Sequence, residues 1–518
     1  MDQFAKMALQ EYNSDTKTVR RGGFGGRPFW NINSSQFTFV PQFEFSEIPG
    51  ARAYLYTATD SKGKTHTFEA DTPIAPLTPI WGDIAVGYVS LKVEAIHQRG
   101  DEKFLSGART FWKSAPFPGR ADLPPRARSY RDCALLAFRY LFRDPATRYW
   151  LEHGLPDPTY YINVYPSKAI SSVVRAMLAY AKMEPEAAKD AIQLARNAAD
   201  YLLTLTYPED SPLAGLPPTY SFLGLDREIV RKNCVAAEGR EHTLMMIYPA
   251  FVGSMYLQLG AATGDTRYFD AAERIAAYYA AHVLPNGSWH LLLDVKTGEP
   301  YNENCCQHFS ILDFLQAYGQ HTGEATWGEM AKRYYAYIAA ECLDSYNWEG
   351  QFEDVKLTSN YHNLTHLTAD RMISYIAKNR QHEPDMIALA EEIMRYVEDQ
   401  FVVWGEYAPW NRSLAPGGTF HSPAALEQYE WYVPIDGSTG AVMRAMLDLH
   451  EATGDPLLLE KACALADAIT RMQDGESGVI PTHWMSKDPA KDLYNFWINC
   501  HIGTAFNMLH LAELVGEA

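Results

Sequence analysis

Positive charge is scarce in this chain of 518 residues, where 45 Lys and Arg stand against 63 Asp and Glu for a formal net charge of −18. A binder of nucleic acid or another long polyanion needs a basic face, so that class is disfavoured, although a local cationic pocket is not. Cysteine is scarce too. The seven are Cys133, Cys234, Cys305, Cys306, Cys342, Cys463 and Cys500. Their number is odd, several fall inside helical patterns, and none forms a CxxC pair. Neither a disulfide framework nor a thiolate zinc site is expected. GxGxxG, GxxxxGK[ST], HExxH and GxSxG are missing, as is a DDxxD-type run, so the chemistries those motifs serve lack support. The histidines have no metal-ligand spacing, and no metal or cofactor is expected. The start, MDQFAKMALQEYNSDTKTVRR, has no apolar signal region, and no apolar run reaches transmembrane length. The expected setting is cytoplasmic, away from membranes.

What is present begins with Val235–Gly264, VAAEGREHTLMMIYPAFVGSMYLQLGAATG. Glu238, Arg240, Glu241 and His242 crowd one short segment that opens onto a helical run too apolar all round for a surface. Ionisable groups at the mouth of a buried helix mark the place to look for chemistry.

In chain order, residues 1–27 read as an amphipathic helix and a flexible RRGGFGGRP arm. Residues 28–116 switch to period-two runs, FTFVPQFEF, ARAYLYTAT, THTFEA, VGYVSLKVEAI and RTFWKS, separated by turn signals. Strands of that length predict a small antiparallel β-sandwich of fibronectin type. A Pro/Arg-rich linker covers 117–129. From 130 to 518 the pattern is helical, with knots at Met183-Glu184-Pro185, Thr263-Gly264-Asp265, Thr322-Gly323-Glu324, His382-Glu383-Pro384 and Thr453-Gly454-Asp455. Gly ends one helix and Asp, Glu or Pro opens the next. Five such hairpins, with a sixth from Tyr130–Phe142 and Asn499–Val515, predict a mainly α chain whose catalytic domain is an (α/α)6 toroid. An open solenoid would need polar end caps, and IGTAFNMLHLAEL is too apolar for one.

The first helix of each hairpin is the more uniformly apolar and is expected inside. The segments leading into these helices therefore meet at one end of the barrel. They are PTYYINVYPSK, CVAAEGREHT, PYNENCCQH, TSNYHNLTH, LEQYEWYVPIDGST and LYNFWINCH. Glu238, Glu241, Glu303 and Asp436 are the candidate catalytic acids, since two carboxylates flanking a bond can divide acid and base roles. Candidates for holding substrate are Arg240, His242, Tyr160, Tyr161, Tyr361, His362, Asn363, Glu430, Trp431, Asn499 and His501. Aromatic faces stack on sugar rings, and amides and carboxylates bind hydroxyls. Plainer readings stand beside these. Glu238 or Glu241 can cap a helix or pair with Arg240, and Arg240 divides evenly between a substrate carboxylate and a structural ion pair. Asp436-Gly437-Ser438-Thr439 is first an N-cap turn. His308 and His510 read as satisfied core histidines, and Asp313 divides between a site acid and a buried pair.

A β-sandwich ahead of such a toroid, with EGREH, YNEN, YHN and YEWY lead-ins, resembles carbohydrate-active enzymes that act on uronic acids. GGRPFWNINSSQFTFVPQFEF and NFWINCHIGTAFNMLHLAEL make it most similar to glycoside hydrolase family 154, from Pro28 to the C-terminus. That resemblance implies a β-glucuronidase acting on a uronate-containing glycan; from charge and hydropathy no nucleic-acid or membrane partner is expected, and a homodimer or higher homo-oligomer is a further expectation. The alternative on the same barrel is a polysaccharide lyase or sugar epimerase, with Tyr361 or His362 abstracting a proton and Arg240 and Asn363 stabilising the enolate. A non-catalytic glycan binder is the third reading.

Overall fold

The structure, a computed structural model, describes residues 2–14, 34–98, 100, 102–234, 237, 239–345, 347–353, 364–408, 420–429, 431–486 and 495–517. After α1 (Gln3–Asn13), seven strands follow: β1 (Gln36–Phe37), β2 (Gln42–Glu44), β3 (Ala51–Thr59), β4 (Thr65–Ala70), β5 (Ile74–Pro76), β6 (Gly87–His97) and β7 (Lys103–Lys113). In β6 the period-two pattern buries Val89, Leu91 and Val93 and leaves Ser90 and Lys92 exposed, so one face of the sheet is core. The sheet has order β1-β7-β6-β3-β4, antiparallel apart from the β1–β7 pair.

The expected second sheet of a sandwich is reduced here to the two-stranded β2–β5 ribbon. Pro41 precedes β2, while Pro73 and Pro76 bracket β5. Proline brings no N–H to a ladder, so neither strand extends. Phe43 of the ribbon packs on Phe37 and Phe111, each at 5.4 Å between ring centres. Helix α1 and the short α2 (Thr78–Trp81) pack together alongside, with the Tyr12 and Trp81 rings 6.0 Å apart.

The helical part contains α3 (Tyr130–Arg143), α4 (Pro145–His153), α5 (Pro166–Met183), α6 (Ala188–Leu205), α7 (Arg227–Asn233), α8 (Ile247–Thr263), α9 (Thr266–Ala281), α10 (Phe309–Thr322), α11 (Ala325–Ala339), α12 (Leu367–Asn379), α13 (Pro384–Phe401), α14 (Asp436–Thr453), α15 (Pro456–Met472) and α16 (Ile498–Leu514). Helices α5, α8, α10, α12, α14 and α16 pack side by side in that order, and α16 returns to α5. Six helices close a ring. Their outer partners are α6, α9, α11, α13, α15 and α3. Helix α8 is buried around most of its circumference, as an inner position demands. Helix α6 buries only a stripe through Ala191, Leu194, Ala195, Ala198, Ala199 and Leu202. The knots do the turning: Gly264, Gly323 and Gly454 end inner helices at positive φ of 71°, 75° and 72°. Asp265 and Asp455 then cap the next helix through their side chains. No helix among the described residues is long and apolar enough to cross a membrane.

Close approach inside the ring depends on small residues. A Cβ placed on Gly253 of α8 would lie 2.4 Å from the Phe314 ring of α10. Gly253→Val is therefore expected to lower stability by about 1–3 kcal/mol through overpacking. Urea unfolding checks this, and an unchanged midpoint would contradict the packing described.

Candidate active site

All six inner helices start at the same end of the ring, and charged groups gather there. Lys168 lies on the first turn of α5, Tyr248 is the second residue of α8, Asp436 opens α14, and Cys500 is third in α16. Glu353 comes from the segment leading into α12. Glu427 lies on β8 (Ala424–Gln428), which with β9 (Trp431–Pro434) forms the hairpin before α14.

Glu353 keeps only 2% of its surface exposed. Burial alone would raise its pKa. The Lys168 ammonium, pairing with Oε1, outweighs that, and the Tyr248 hydroxyl donates to Oε2, so the carboxyl is held below its usual range and stays ionised. The Tyr220 hydroxyl and an Arg240 guanidinium N–H both donate to the Glu353 backbone carbonyl, pinning the segment as well as the side chain.

Asp436 goes the other way. It is fully buried, and desolvation lifts its pKa well above the carboxylate range, with the Glu427 charge adding to the lift. The Thr504 hydroxyl donates to Oδ2 at 3.2 Å, too little to restore the ionised form. Two glycines make this contact possible. A Cβ on Gly437 would sit 3.1 Å from Cys500 Sγ, and one on Gly440 would sit 3.2 Å from Thr504 Cα. Helices α14 and α16 thus meet almost backbone to backbone. Cys500 lies among these groups: burial raises its thiol pKa, and the charges of Asp436, Lys168, Glu427 and Glu353 all act on it. Environment therefore drives two carboxyls in one neighbourhood apart, one neutral and one charged, the pattern that separates a general acid from a base.

An aromatic wall adjoins them. Tyr160 Oη donates to the Phe496 carbonyl at 3.2 Å and accepts from the Ile498 N–H at 3.1 Å. Trp497 Nε1 donates to Tyr161 Oη at 3.2 Å, and the Lys168 ammonium lies 5.5 Å from the centre of the Tyr165 ring. These contacts tie the lead-in of α5 to that of α16.

Of the residues singled out in the sequence, Asp436, Tyr160, Tyr161 and Arg240 fall at this end of the ring. Asn499 lies there too, with its amide N–H 3.4 Å from Cys500 Sγ. Glu241, His242 and Glu303 are exposed instead. Glu241 faces Arg227 at 3.4 Å and His242 lies beside the Tyr301 ring at 5.8 Å, which is ordinary surface pairing. His501 is fully buried between two backbone groups, with Nε2 2.9 Å from the Ala137 carbonyl and Nδ1 accepting from the Ile480 N–H at 3.2 Å. Neither nitrogen is left for a ligand. Asp313 pairs with Arg371 across the α10–α12 seam. Glu238, Tyr361, His362, Asn363 and Glu430 lie outside the described residues, as does the side chain of Trp431. Lys168, Tyr248 and Glu353 carried no signal in the sequence beyond their place in or beside a lead-in.

Below this tier the ring encloses a cavity of about 350 Å³ that includes His308. Burial pushes the pKa of His308 down to about 4, so the imidazole is neutral near pH 7. Its Nδ1 accepts from the Ser310 N–H at 3.1 Å, which puts the proton on Nε2. One cluster of possible metal ligands occurs among the described residues, Asp448, Glu451 and His510. Arg444 and Lys378 already hold Asp448, at 2.7 and 3.0 Å, so the donor set is not that of a cation site.

The sequence matches no protein-family model and no curated protein. In structure it is similar to cellobiose 2-epimerase from Spirochaeta thermophila, at TM-score 0.50 and 12% identity over 74% of this chain and 98% of that one. It is also similar to a family 76 glycoside hydrolase from a bovine Bacteroides thetaiotaomicron strain, at TM-score 0.47 and 11% identity over 92% and 99%. A third likeness is to an unsaturated glucuronyl hydrolase specific for heparin, at TM-score 0.43 and 13% identity over 75% and 97%. At these identities the likeness to the epimerase is one of fold, the helical barrel that carries the tier described above.

The two carboxyls should affect stability with opposite sign. A raised folded-state pKa makes the folded chain keep a proton that the unfolded chain releases above pH about 4, so Asp436 costs stability as pH rises through that window. Glu353, lowered on folding, adds stability above its unfolded pKa and loses it as pH falls through the folded one. Asp436→Asn is expected to melt higher than wild type at alkaline pH and Glu353→Gln lower, both gaps shrinking in acid. Thermal melts across pH read this, and gaps that do not change with pH would contradict the assignment.

Proposed function

We propose that this chain is a glycoside hydrolase that releases terminal β-linked glucuronate from glycans or glycosides. Asp436, kept neutral by burial, protonates the leaving oxygen. Glu353, kept ionised by Lys168 and Tyr248, draws a proton from the attacking water. Its oxygens accept from Lys168, Tyr248 and the residue's own backbone N–H, and a carboxylate oxygen has lone pairs enough for a further bond. The observation that carries the reading is the opposite pKa shift of Asp436 and Glu353 at one end of the barrel. Glu427 stands behind Asp436 and helps to keep it protonated, and Glu238 remains a further candidate acid. Tyr160, Tyr161 and Trp497 form the wall on which a sugar ring stacks. The resemblance to family 154 supports the choice of glucuronate. The barrel shared with a cellobiose 2-epimerase is in keeping with a sugar substrate.

The second reading, a lyase or epimerase, has the barrel shared with cellobiose 2-epimerase in its favour, and a neutral histidine at the cavity. In His308, however, Nδ1 is taken by the Ser310 N–H and the proton sits on Nε2, a tautomer that donates rather than removes a proton. Hydrolysis is the reading we prefer.

Turnover of an aryl β-glucuronide tests it. Asp436→Asn and Glu353→Gln are each expected to lower kcat by about 10²–10⁴, and near-wild-type turnover by both would overturn the assignment. Solvent deuterium entering a sugar C–H without cleavage, or an unsaturated uronide product, would establish the second reading instead.

A further inference from the structure

Each inner helix gives a polar side chain to the cavity below the carboxyl tier: Arg175, Ser254, Asp313, Arg371, Arg444 and Asn507. Three of the six are arginines, in a chain with a net charge of −18. Guanidinium groups stay charged in such places, so each needs an answer. Arg371 has Asp313, and Arg444 has Asp448 at 2.7 Å. Among the described residues no carboxylate pairs with Arg175, whose contact is the Phe506 ring at 5.5 Å. Arg175 is exposed to the lumen yet ringed by protein; that enclosure and the Arg371 charge press against its ionisation, while the Asp313 carboxylate, already paired with Arg371, offsets part of this. A cation that shares a carboxylate with a second arginine leaves net positive charge in the lumen, and that favours a bound anion.

Position says which part of a ligand would meet it. Arg175 is seven residues beyond Lys168 on α5, two turns down the same face and about 10 Å along the axis. Side chains on a helix lean towards its N-terminus, so Arg175 reaches back up towards the carboxyl tier. A sugar placed between the two tiers would have its glycosidic bond by Asp436 and Glu353 and its far substituent by the arginines.

We infer that Arg175, with Arg371 and Arg444 across the lumen from it, seats an oxyanion carried by the ligand, a carboxylate or a phosphate on the sugar held in the lumen. The inference rests on the proposed reading only in placing the sugar there, and it moves charge recognition off the lead-in segments. Arg240 is engaged with the Glu353 carbonyl and His242 lies on the surface. Asn507, Ser254 and the His308 Nε2–H remain to meet hydroxyls.

Calorimetric titration of D-glucuronate, glucose 6-phosphate and glucose into wild type and Arg175→Met tests this. Wild type is expected to bind one of the two anions about tenfold or more tighter than glucose, and Arg175→Met to erase that preference while keeping its affinity for glucose. Removing a charge that makes no ion pair among the described residues should not lower the melting temperature, which is measured alongside. Should the variant fail to fold, the same preference in wild type must weaken with added sodium chloride while glucose binding does not. Anion affinity equal in variant and wild type, or indifferent to salt, overturns the inference. A preference for glucose 6-phosphate upholds the oxyanion seat and overturns the glucuronidase reading. A preference for glucuronate without cleavage of aryl glucuronides upholds the seat and overturns the hydrolase.

Discussion

Glu353 is a buried carboxylate reached from two inner helices, by Lys168 of α5 and Tyr248 of α8, while Tyr220 and Arg240 take its backbone carbonyl. The segment that carries it leads into a third inner helix. One ion pair thus fixes how three neighbouring parts of the ring end meet. Burial of such a pair is not itself stabilising, but removing Lys168 would leave an uncompensated charge at a cost of about 3–5 kcal/mol. An arrangement that is expensive to break and not cheaper than an apolar core makes more sense as a site than as a brace.

What makes Glu353 useful is the contrast with Asp436. Both are buried at the same end of the barrel, yet one has an ammonium beside it and the other has Glu427. The apolar helix starts supply the desolvation, and Gly437 and Gly440 supply the close approach that denies Asp436 a cation. The lumen extends this logic downward. Its arginines face a polar cavity in a chain that is strongly acidic elsewhere, so the ring presents two carboxyls of different charge above and a cluster of three cations below.

Much of the architecture was legible in the sequence, because helix ends have local chemistry. Thr-Gly-Asp knots name their own caps, and the uniformly apolar run of α8 tells inner from outer. The strands β3, β4, β6 and β7 announced themselves by alternation. The second sheet did not form, since Pro41, Pro73 and Pro76 withhold ladder hydrogen bonds, a constraint hidden beneath the aromatic pattern of FTFVPQFEF. The lead-in rule picked out Asp436, Tyr160, Tyr161 and Arg240, which lie together at the end of the ring where the inner helices start. It also gathered Glu241, His242 and Glu303, which are exposed, because a polar lead-in has a solvent side as well as a barrel side and composition cannot separate them. Lys168 and Glu353 were invisible for a different reason. They lie 185 residues apart, and only the closed ring brings them together.

The central claim is that Asp436 holds its proton at neutral pH while Glu353 does not. Infrared difference spectroscopy of wild type against Asp436→Asn and Glu353→Gln at pH 7 tests it most directly. A protonated-carboxyl stretch present in wild type, lost in Asp436→Asn and retained in Glu353→Gln, is the predicted result. Spectra in which Asp436→Asn removes only a carboxylate band would contradict the account.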